Sequence, residues 1–215
     1  MATRTPATPA GLRETKKQET RQLISDHATQ LFMDQGFEQT TIAEIAAAAR
    51  VAKKTVTNYF PRKEDLALEH QEQFAASPAR AVAARHPGES ALAALRRAFA
   101  DSVAARDPVA GFSGQESARM IADSPTLSTC VRGLHDRRAH HLAQALGEAT
   151  GTPPDDITVR TVAGLLNTVH RVLFHRIQEL TLAGHPDDRI ARTITAEAAR
   201  AFDLLEPALS DYATA

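Results

Sequence analysis

Residues 40–66 read TTIAEIAAAARVAKKTVTNYFPRKEDL, and they hold the densest cluster of positive charge in the chain. Between Arg50 and Lys63 there are five basic residues and no acidic one, whereas the 215-residue chain as a whole has a formal net charge of −1. A local positive surface is what contact with phosphates requires, although a charge run is more often only a solvated helix face. The helix pattern around the segment helps to separate the two interpretations.

Turn and cap signals divide this segment into short helices. Thr41 and Glu44 have the spacing of a capping box, which predicts a helix that runs to about Ala49. A tight turn follows, and a third helix is predicted over residues 52–59, ending before Pro61 because the residue before proline is pushed out of the α region. Upstream, a first helix is predicted over residues 15–35, with Gly36 as its stop signal. Its apolar face carries Ile24, Ala28, Leu31 and Phe32.

Two short helices joined by a tight turn predict a helix-turn-helix, whose second helix enters the DNA major groove. Val56 and Phe60 are four residues apart and face inward together with Val51, which leaves the polar side chains of the third helix for DNA. Lysines can pair with phosphates or guanine edges, and hydroxyl groups can bond phosphates. The predicted DNA-binding residues are Arg21, Thr40, Thr41, Lys53, Lys54, Thr55, Thr57, Asn58, Tyr59 and Lys63.

The segment from Arg21 to Leu66 resembles the N-terminal DNA-binding region of the TetR family of bacterial transcriptional regulators. The positions that match the family pattern in register are Arg21, Ile24, Ala28, Leu31, Phe32, Gly36, Phe37, Thr40, Thr41, Ile45, Ala46, Ala49, Val51, Thr55, Phe60, Lys63, Glu64 and Leu66. The resemblance implies a homodimeric regulator in the cytoplasm, most often a repressor that binds a palindromic operator in double-stranded DNA. In the family, a small-molecule effector commonly releases the repressor.

Four positions depart from the family pattern. Arg50 and Lys54 replace two usual glycines, and both substitutions add positive charge. Ala52 replaces the serine that usually caps the third helix, and Thr57 replaces a tyrosine. Loss of a capping hydroxyl destabilises a helix by about 1 kcal/mol, so we expect this helix to depend on the packing of Val51 and Val56. The operator sequence of a relative cannot be transferred to this chain.

The predicted fold class is all-α, with an N-terminal three-helix helix-turn-helix DNA-binding domain and a C-terminal helical domain for ligand binding and dimerisation. The predicted divisions are a disordered arm at residues 1–14, the DNA-binding domain at 15–66 and the helical domain at 67–215. Proline and glycine positions predict the later helices at residues 62–76 with a continuation to 85, 89–106, 115–123, 126–149, 155–183 and 187–206.

The last two predicted helices each carry a long apolar stripe. Such stripes favour a four-helix bundle formed with the same helices of a second subunit, since two DNA-binding units must be held about 34–36 Å apart. The alternative is that they only cover the core of their own subunit. The predicted dimer interface consists of Val162, Leu166, Val169, Leu173, Ile190, Ile194, Ala198 and Leu205.

A ligand pocket is predicted among the middle helices of the second domain. Asn167, His170 and Phe174 share one side of the penultimate helix, which suits a mostly apolar cavity with a few polar anchors. Other predicted wall residues are Phe99, Phe112, Met120, Leu134 and His141. Each of these residues is explained equally well as an ordinary core residue. The prediction of a ligand pocket therefore rests on all of them together and on no single one.

Other functional classes find little support in the sequence. His140 and His141 are adjacent, and His170 and His175 are five residues apart, so neither pair has the i, i+4 spacing of two chelating histidines on a helix. We therefore expect no metal and no cofactor. No phosphate-binding loop or nucleophile motif is present, which argues against an enzyme. The alternatives are an all-helical binding protein, or a transcriptional activator without a small-molecule inducer.

Composition indicates a cytoplasmic protein. Cys130 is the single cysteine, so an internal disulfide cannot form. The first residues lack the apolar region of a secretory signal, and no stretch reaches the roughly 18 apolar residues of a membrane span. We therefore expect no association with a membrane.

Overall fold

A computed structural model describes the backbone of residues 9–215 and the side chains from Arg13 onward. Every regular element in this range is helical, which confirms the all-α fold with an N-terminal helix-turn-helix. The chain divides into two compact units, with the boundary between Glu69 and His70. The predicted disordered arm lies outside the described residues except for residues 9–14, which are helical. Within the described range, no helix is long and apolar enough to cross a membrane.

The N-terminal unit contains four helices. The first starts earlier than predicted, at Pro9, because the fixed φ of proline suits the first turn of a helix. It ends at Gly36, whose φ of +85° is a conformation that glycine adopts easily and whose N–H donates to the carbonyl of Phe32. The helices are α1 (Pro9–Gln35), α2 (Ile42–Ala48), α3 (Lys53–Tyr59) and α4 (Glu64–Ala67).

Helix α2 packs against both α1 and α3, and α1 packs against α4. The contacts bury one apolar side of each helix, as the sequence pattern predicted for α1 and α3. The buried side chains include Ile24, Ala28, Phe32, Phe37, Ile45, Val56, Phe60 and Leu66. The predicted capping box is confirmed, because the Thr41 hydroxyl accepts a hydrogen bond from the Glu44 N–H and the Glu44 carboxylate accepts one from the Thr41 N–H.

The turn between α2 and α3 places Arg50 in the left-handed region. Its φ is +54°, and the chain is held there by a 2.9 Å hydrogen bond from the Val51 N–H to the Ala46 carbonyl. This conformation costs about 1–2 kcal/mol for a residue with a Cβ atom. Arg50 stands where the family pattern usually has glycine. It therefore strains the turn and adds a positive charge beside α3.

The second unit contains seven α-helices and a short 3-10 turn among the described residues. From α6 to α10 the α-helix ends lie within three residues of the predicted ones. The helix predicted over residues 62–76 with a continuation to 85 is interrupted between α4 and α5, and the 3-10 turn and α11 were not predicted. The elements are α5 (Gln71–Ala83), α6 (Ala91–Ala104), the 3-10 turn (Pro108–Ala110), α7 (Gly114–Asp123), α8 (Pro125–Thr150), α9 (Ile157–Leu182), α10 (Asp187–Asp203) and α11 (Glu206–Leu209).

The break between α4 and α5 has a tertiary cause. Leu68 and His70 leave the α region, with ψ angles of +62° and +19°. Between them, the Glu69 carboxylate accepts a hydrogen bond from the buried hydroxyl of Ser25 on α1. This long-range contact holds the segment at the end of the N-terminal unit, and the sequence offers no local signal for it.

The residues predicted for the dimer interface belong to the core of their own subunit, which was the alternative stated for these stripes. Six of them are buried there, and the remaining two, Val169 and Leu205, pack against that core. The physical reason is that α9 packs against both α8 and α10, so its main apolar stripe is already covered. The opposite side of α9 exposes Leu165 and Val172, at 44% and 53% of their surface.

The strained turn gives a stability prediction. Replacing Arg50 with glycine relieves the left-handed backbone but adds chain entropy to the unfolded state, so we expect a net stabilisation of about 0.5–1 kcal/mol. Urea unfolding followed by circular dichroism measures it. Ala47→Gly, inside α2, is the control and is expected to destabilise by about 1 kcal/mol. Equal effects of the two substitutions would contradict the strain at Arg50.

Candidate nucleic-acid interface and interior cavity

Helix α3 presents one polar side to solvent. Val56 and Phe60 are 0% and 1% exposed and face the core, so the side chains between them point outward. Lys53, Lys54, Thr57 and Asn58 are exposed, whereas Thr55 and Tyr59 are half-buried. Four of the predicted DNA-binding residues are therefore exposed on one short helix.

The start of α3 carries no side-chain cap. Ala52 occupies the cap position in an extended conformation and makes no capping hydrogen bond. The first N–H groups of the helix are therefore free of any side-chain acceptor, and they lie beside Lys53 and Lys54. Both the positive end of the helix dipole and the two ammonium groups favour an anion at this point.

Arg21 fixes the other end of α3. Its guanidinium Nη1 donates to the Tyr59 carbonyl at 3.0 Å, and the group lies 4.2 Å from the centre of the Phe60 ring. These contacts link α1 to the last turn of α3 and position the helix. Arg21 itself remains exposed, so its contact with a phosphate stays a prediction.

Two predicted phosphate contacts turn out to be structural. Thr40 is 1% exposed, and its hydroxyl donates to the Gly36 carbonyl at 2.8 Å. The Lys63 ammonium donates to the carbonyls of Phe37 and Thr40 at 2.8 and 2.9 Å and lies 4.2 Å from the centre of the Phe37 ring. Neither group is free for DNA in this conformation, because the connection between α1 and α2 leaves buried carbonyls that need donors.

Thr41 is exposed, but its polar groups are engaged in capping α2. Its hydroxyl and its N–H both bond the Glu44 carboxylate, at 2.8 Å each. The hydrogen bonds from Thr41 also lower the pKa of Glu44, so the carboxylate stays ionised as a cap of α2. A DNA contact through Thr41 remains a prediction.

The helical unit contains a buried group of polar side chains that the sequence did not indicate as a set. His135 and Arg138 of α8 are 2% and 5% exposed, and Asn167 and His170 of α9 are 8% and 4% exposed. Phe74 contributes to the same group, since its ring lies 4.7 Å from the Arg138 guanidinium carbon and 5.0 Å from the His135 ring. Helices α5, α8 and α9 thus meet around polar rather than only apolar side chains.

The hydrogen bonds of this group are incomplete. Arg138 Nη2 lies 3.3 Å from His170 Nδ1, and Asn167 donates to the His135 carbonyl at 3.2 Å. Five buried atoms have no hydrogen-bond partner in the protein. They are both ring nitrogens of His135, Nε of Arg138, Oδ1 of Asn167 and Nε2 of His170. An unsatisfied buried polar atom costs about 1–3 kcal/mol, so these five atoms favour a polar partner from outside the protein.

Burial shifts the titration of these groups. It lowers the pKa of Arg138 to about 10, and burial together with the positive charge of Arg138 lowers the pKa of His135 to about 3. The same two causes hold the pKa of His170 well below its ordinary value. At neutral pH the region therefore contains one cation and two neutral imidazoles.

Two cavities lie beside this group. The first, about 30 Å³, is lined by Arg138 and His170 together with residues of α5, α6 and the 3-10 turn, and the second, about 650 Å³, is lined by His135 and residues of α7, α8 and α9. Of the predicted ligand-binding residues, Phe99 and His170 line the first and Phe174 lines the second. The others line neither of these two cavities: Phe112, Met120, Leu134, His141 and Asn167.

His135 and Arg138 of α8 are functional-site candidates that were not predicted from the sequence. The buried positions of this helix include Leu127, Val131, Leu134, Leu142 and Leu146, and Arg138 falls on the same face at helical spacing. A charged residue in an apolar stripe was the signal. Within the described part of the chain, no group of three or more His, Cys, Asp or Glu could hold a metal ion.

Comparison with known proteins agrees with this geometry. Residues 24–70 match the family described as "Bacterial regulatory proteins, tetR family". The HTH-type transcriptional regulator TcmR of Streptomyces glaucescens is 28% identical over 179 residues, which cover 80% of this chain and 79% of TcmR.

Two solved structures share the fold. A TetR-family regulator from Syntrophomonas wolfei has a TM-score of 0.58 at 18% identity, over 87% of this chain and 96% of that one. NalD from Pseudomonas aeruginosa, described as the secondary repressor of the MexAB-OprM multidrug efflux pump, has a TM-score of 0.53 at 16% identity, over 87% of this chain and 97% of its own.

A helix-turn-helix unit followed by a helical unit defines a class of DNA-binding regulators. The family match at residues 24–70 and the likeness to TcmR show that the chain is similar to the TetR family of transcriptional regulators. The resemblance inferred from the sequence is thereby confirmed.

The role of Lys63 can be tested by stability. Lys63→Met removes donors from the carbonyls of Phe37 and Thr40 and the ammonium from the Phe37 ring, so we expect the free energy of unfolding to fall by about 1–3 kcal/mol. Urea unfolding measures it. Lys54→Met is the matched control, because Lys54 is exposed on α3, and its effect should stay within about 0.5 kcal/mol. If the two lysines behaved alike, the structural role of Lys63 would be refuted.

Proposed function

We propose that the protein is a homodimeric repressor that binds a palindromic operator and is released by a small-molecule ligand. The observation that carries the proposal is the exposed polar side of α3, held in place by Val56, Phe60 and Arg21. In helix-turn-helix proteins the equivalent helix lies in the major groove. Lys53 and Lys54 would bond phosphates or guanine edges there, and Thr57 and Asn58 would contact phosphates or base edges.

The charge around α3 supports tight but salt-sensitive binding. Arg50, Lys53 and Lys54 are exposed within five consecutive positions of the turn and the helix start. Binding of cationic groups to phosphates releases counterions, so affinity falls steeply as salt rises. The two positions at which this chain departs from family glycines, Arg50 and Lys54, would thus add affinity for the DNA backbone rather than base selection.

Dimerisation would use the outward side of α9. Leu165 and Val172 are seven residues apart on this helix and both are exposed, with Thr161, Gly164 and Thr168 on the same side. The small side chains beside Leu165 and Val172 would allow α9 of one subunit to approach α9 of its partner closely. This surface replaces the interface predicted from sequence, whose residues are already buried in the subunit core.

Ligand release would originate in the helical unit. Its unsatisfied polar atoms and the two adjacent cavities are features that a bound molecule could stabilise. A ligand that binds better to one arrangement of the dimer than to another shifts the population toward that arrangement. It changes the affinity for DNA by the same factor by which bound DNA changes the affinity for the ligand. No direct catalytic role is proposed for these residues.

The DNA-binding proposal is tested by the salt dependence of binding. Each lost phosphate contact lowers the slope of log K against log salt by about 0.9, and a dimer carries two copies, so Lys53→Ala and Lys54→Ala should each flatten the slope by about two. Mobility shift with operator DNA at several salt concentrations measures it. Arg119→Ala, an exposed arginine of α7, should leave the slope unchanged. A weakened complex with an unchanged slope for both lysine variants would argue against phosphate contacts.

The dimer surface is tested by sedimentation velocity. Leu165→Glu places a charge on the outward side of α9, and we expect it to convert dimers to folded monomers because the buried carboxylate would be unpaired. Leu23→Glu is the matched control, since Leu23 and Leu165 are both 44% exposed. A Leu165→Glu protein that sediments like the parent dimer would exclude this surface as the interface.

A further inference from the structure

We propose that the helical unit binds an organic anion, best a carboxylate with an apolar body, and that Arg138 holds its charged group. The inference deepens the proposed function, since it names the chemical class of the effector. It rests on that function only for the effect on DNA, because binding of the anion can be measured on its own.

The first observation is that Arg138 is a buried cation without a carboxylate partner. It is 5% exposed, and the described residues offer it no ion pair. Its neighbour in sequence, Arg137, lies on the surface and pairs with Glu72 at 2.6 Å. A buried charge without a counterion is strongly unfavourable, so a protein normally neutralises it or pairs it.

The second observation is that two hydrogen-bond donors, one on Arg138 and one on His170, lack acceptors in the protein. A guanidinium can only donate, so the 3.3 Å contact makes His170 Nδ1 the acceptor and places the imidazole hydrogen on Nε2. That Nε2 is buried and has no partner in the protein, and neither has Nε of Arg138. Two donors that lack acceptors favour a ligand that is rich in acceptors, as a carboxylate is.

The third observation is the shape of the space beside them. Arg138 and His170 line the cavity of about 30 Å³, with Ser77 and Ser102 as further polar residues. The cavity is larger than the space that one water molecule needs, so it has room for a group of carboxylate size. Its remaining walls are apolar: Pro78, Ala81, Leu95, Ala98, Phe99, Val109 and Ala110.

The residues that line the cavity indicate which kind of anion fits it best. A guanidinium binds a carboxylate through two parallel hydrogen bonds, and it is less strongly hydrated than an ammonium group, which suits a buried site. The apolar walls would contact a hydrocarbon or aromatic body next to the charged group. Inorganic phosphate lacks such a body and is a weaker fit for these walls.

The test uses octanoate and benzoate as probes, with octanamide and benzamide as neutral molecules of the same shape. Calorimetric titrations are done on the full chain in Tris buffer that contains no carboxylate or phosphate. We expect both acids to bind about 10- to 100-fold more tightly than their amides, as charge-assisted hydrogen bonds require. Equal affinity for acid and amide, or tighter binding of inorganic phosphate than of either acid, would overturn the proposal.

Two variants locate the site. Arg138→Met should abolish the preference for the acid and leave the thermal unfolding midpoint equal or higher, because it removes an unpaired buried charge. A structural role for Arg138 predicts the opposite, a lower midpoint. Ala98→Leu keeps the charge but fills the cavity, so it should also lose the acid. Arg137→Met, next to Arg138 but exposed, should bind like the parent. Retention of the preference in Arg138→Met or in Ala98→Leu would refute this site.

A mobility shift with and without octanoate separates this inference from the proposed function. Acid binding that depends on Arg138 but leaves the DNA complex unchanged supports the anion site and counts against its role as the effector site. DNA binding without any acid preference leaves the regulator standing and overturns the anion site.

Discussion

The position of helix α3 is the constraint on which the rest of the DNA-binding unit depends. The helix has seven residues and no side-chain cap, and a helix this short does not persist by itself in water. Burial of Val56 and Phe60 and the contacts of Arg21 with Tyr59 and Phe60 must therefore hold it. These anchors face the core, whereas Lys53 and Lys54 are exposed and therefore accessible for the proposed contact with DNA.

The two units differ in where they place cationic side chains, which are exposed on α3 and buried at Arg138. At α3 the lysines are exposed, where solvent and counterions stabilise them. In the proposed DNA complex, phosphates would replace those counterions. In the helical unit Arg138 is buried among phenylalanine and histidine rings without a counterion. Such a charge lowers stability, and buried polar groups left unsatisfied in a native fold are a common mark of binding sites. Exposed cationic side chains thus support the proposal of DNA binding in the first unit, and a buried cationic side chain supports the proposal of a small-molecule ligand in the second.

The sequence predicted most of the fold because its signals were local. The capping box at Thr41, the stop at Gly36 and the inward pair Val56 and Phe60 each act within one helix, and each is present. The errors arose from contacts between distant residues. The sequence could not show that Lys63 bonds the carbonyls of the α1–α2 connection, that Ser25 and Glu69 interrupt a predicted helix, or which of its neighbours would cover the apolar stripe of α9.

The most direct test of the account is selection of bound sequences from random duplex DNA, scored by mobility shift at two salt concentrations. A dimer that presents α3 twice predicts an inverted repeat whose half-sites lie about one helical turn, or 34–36 Å, apart, with weaker binding at the higher salt. Recovery of DNA without any common sequence would contradict operator recognition and would leave the helical unit as the functional part of the protein.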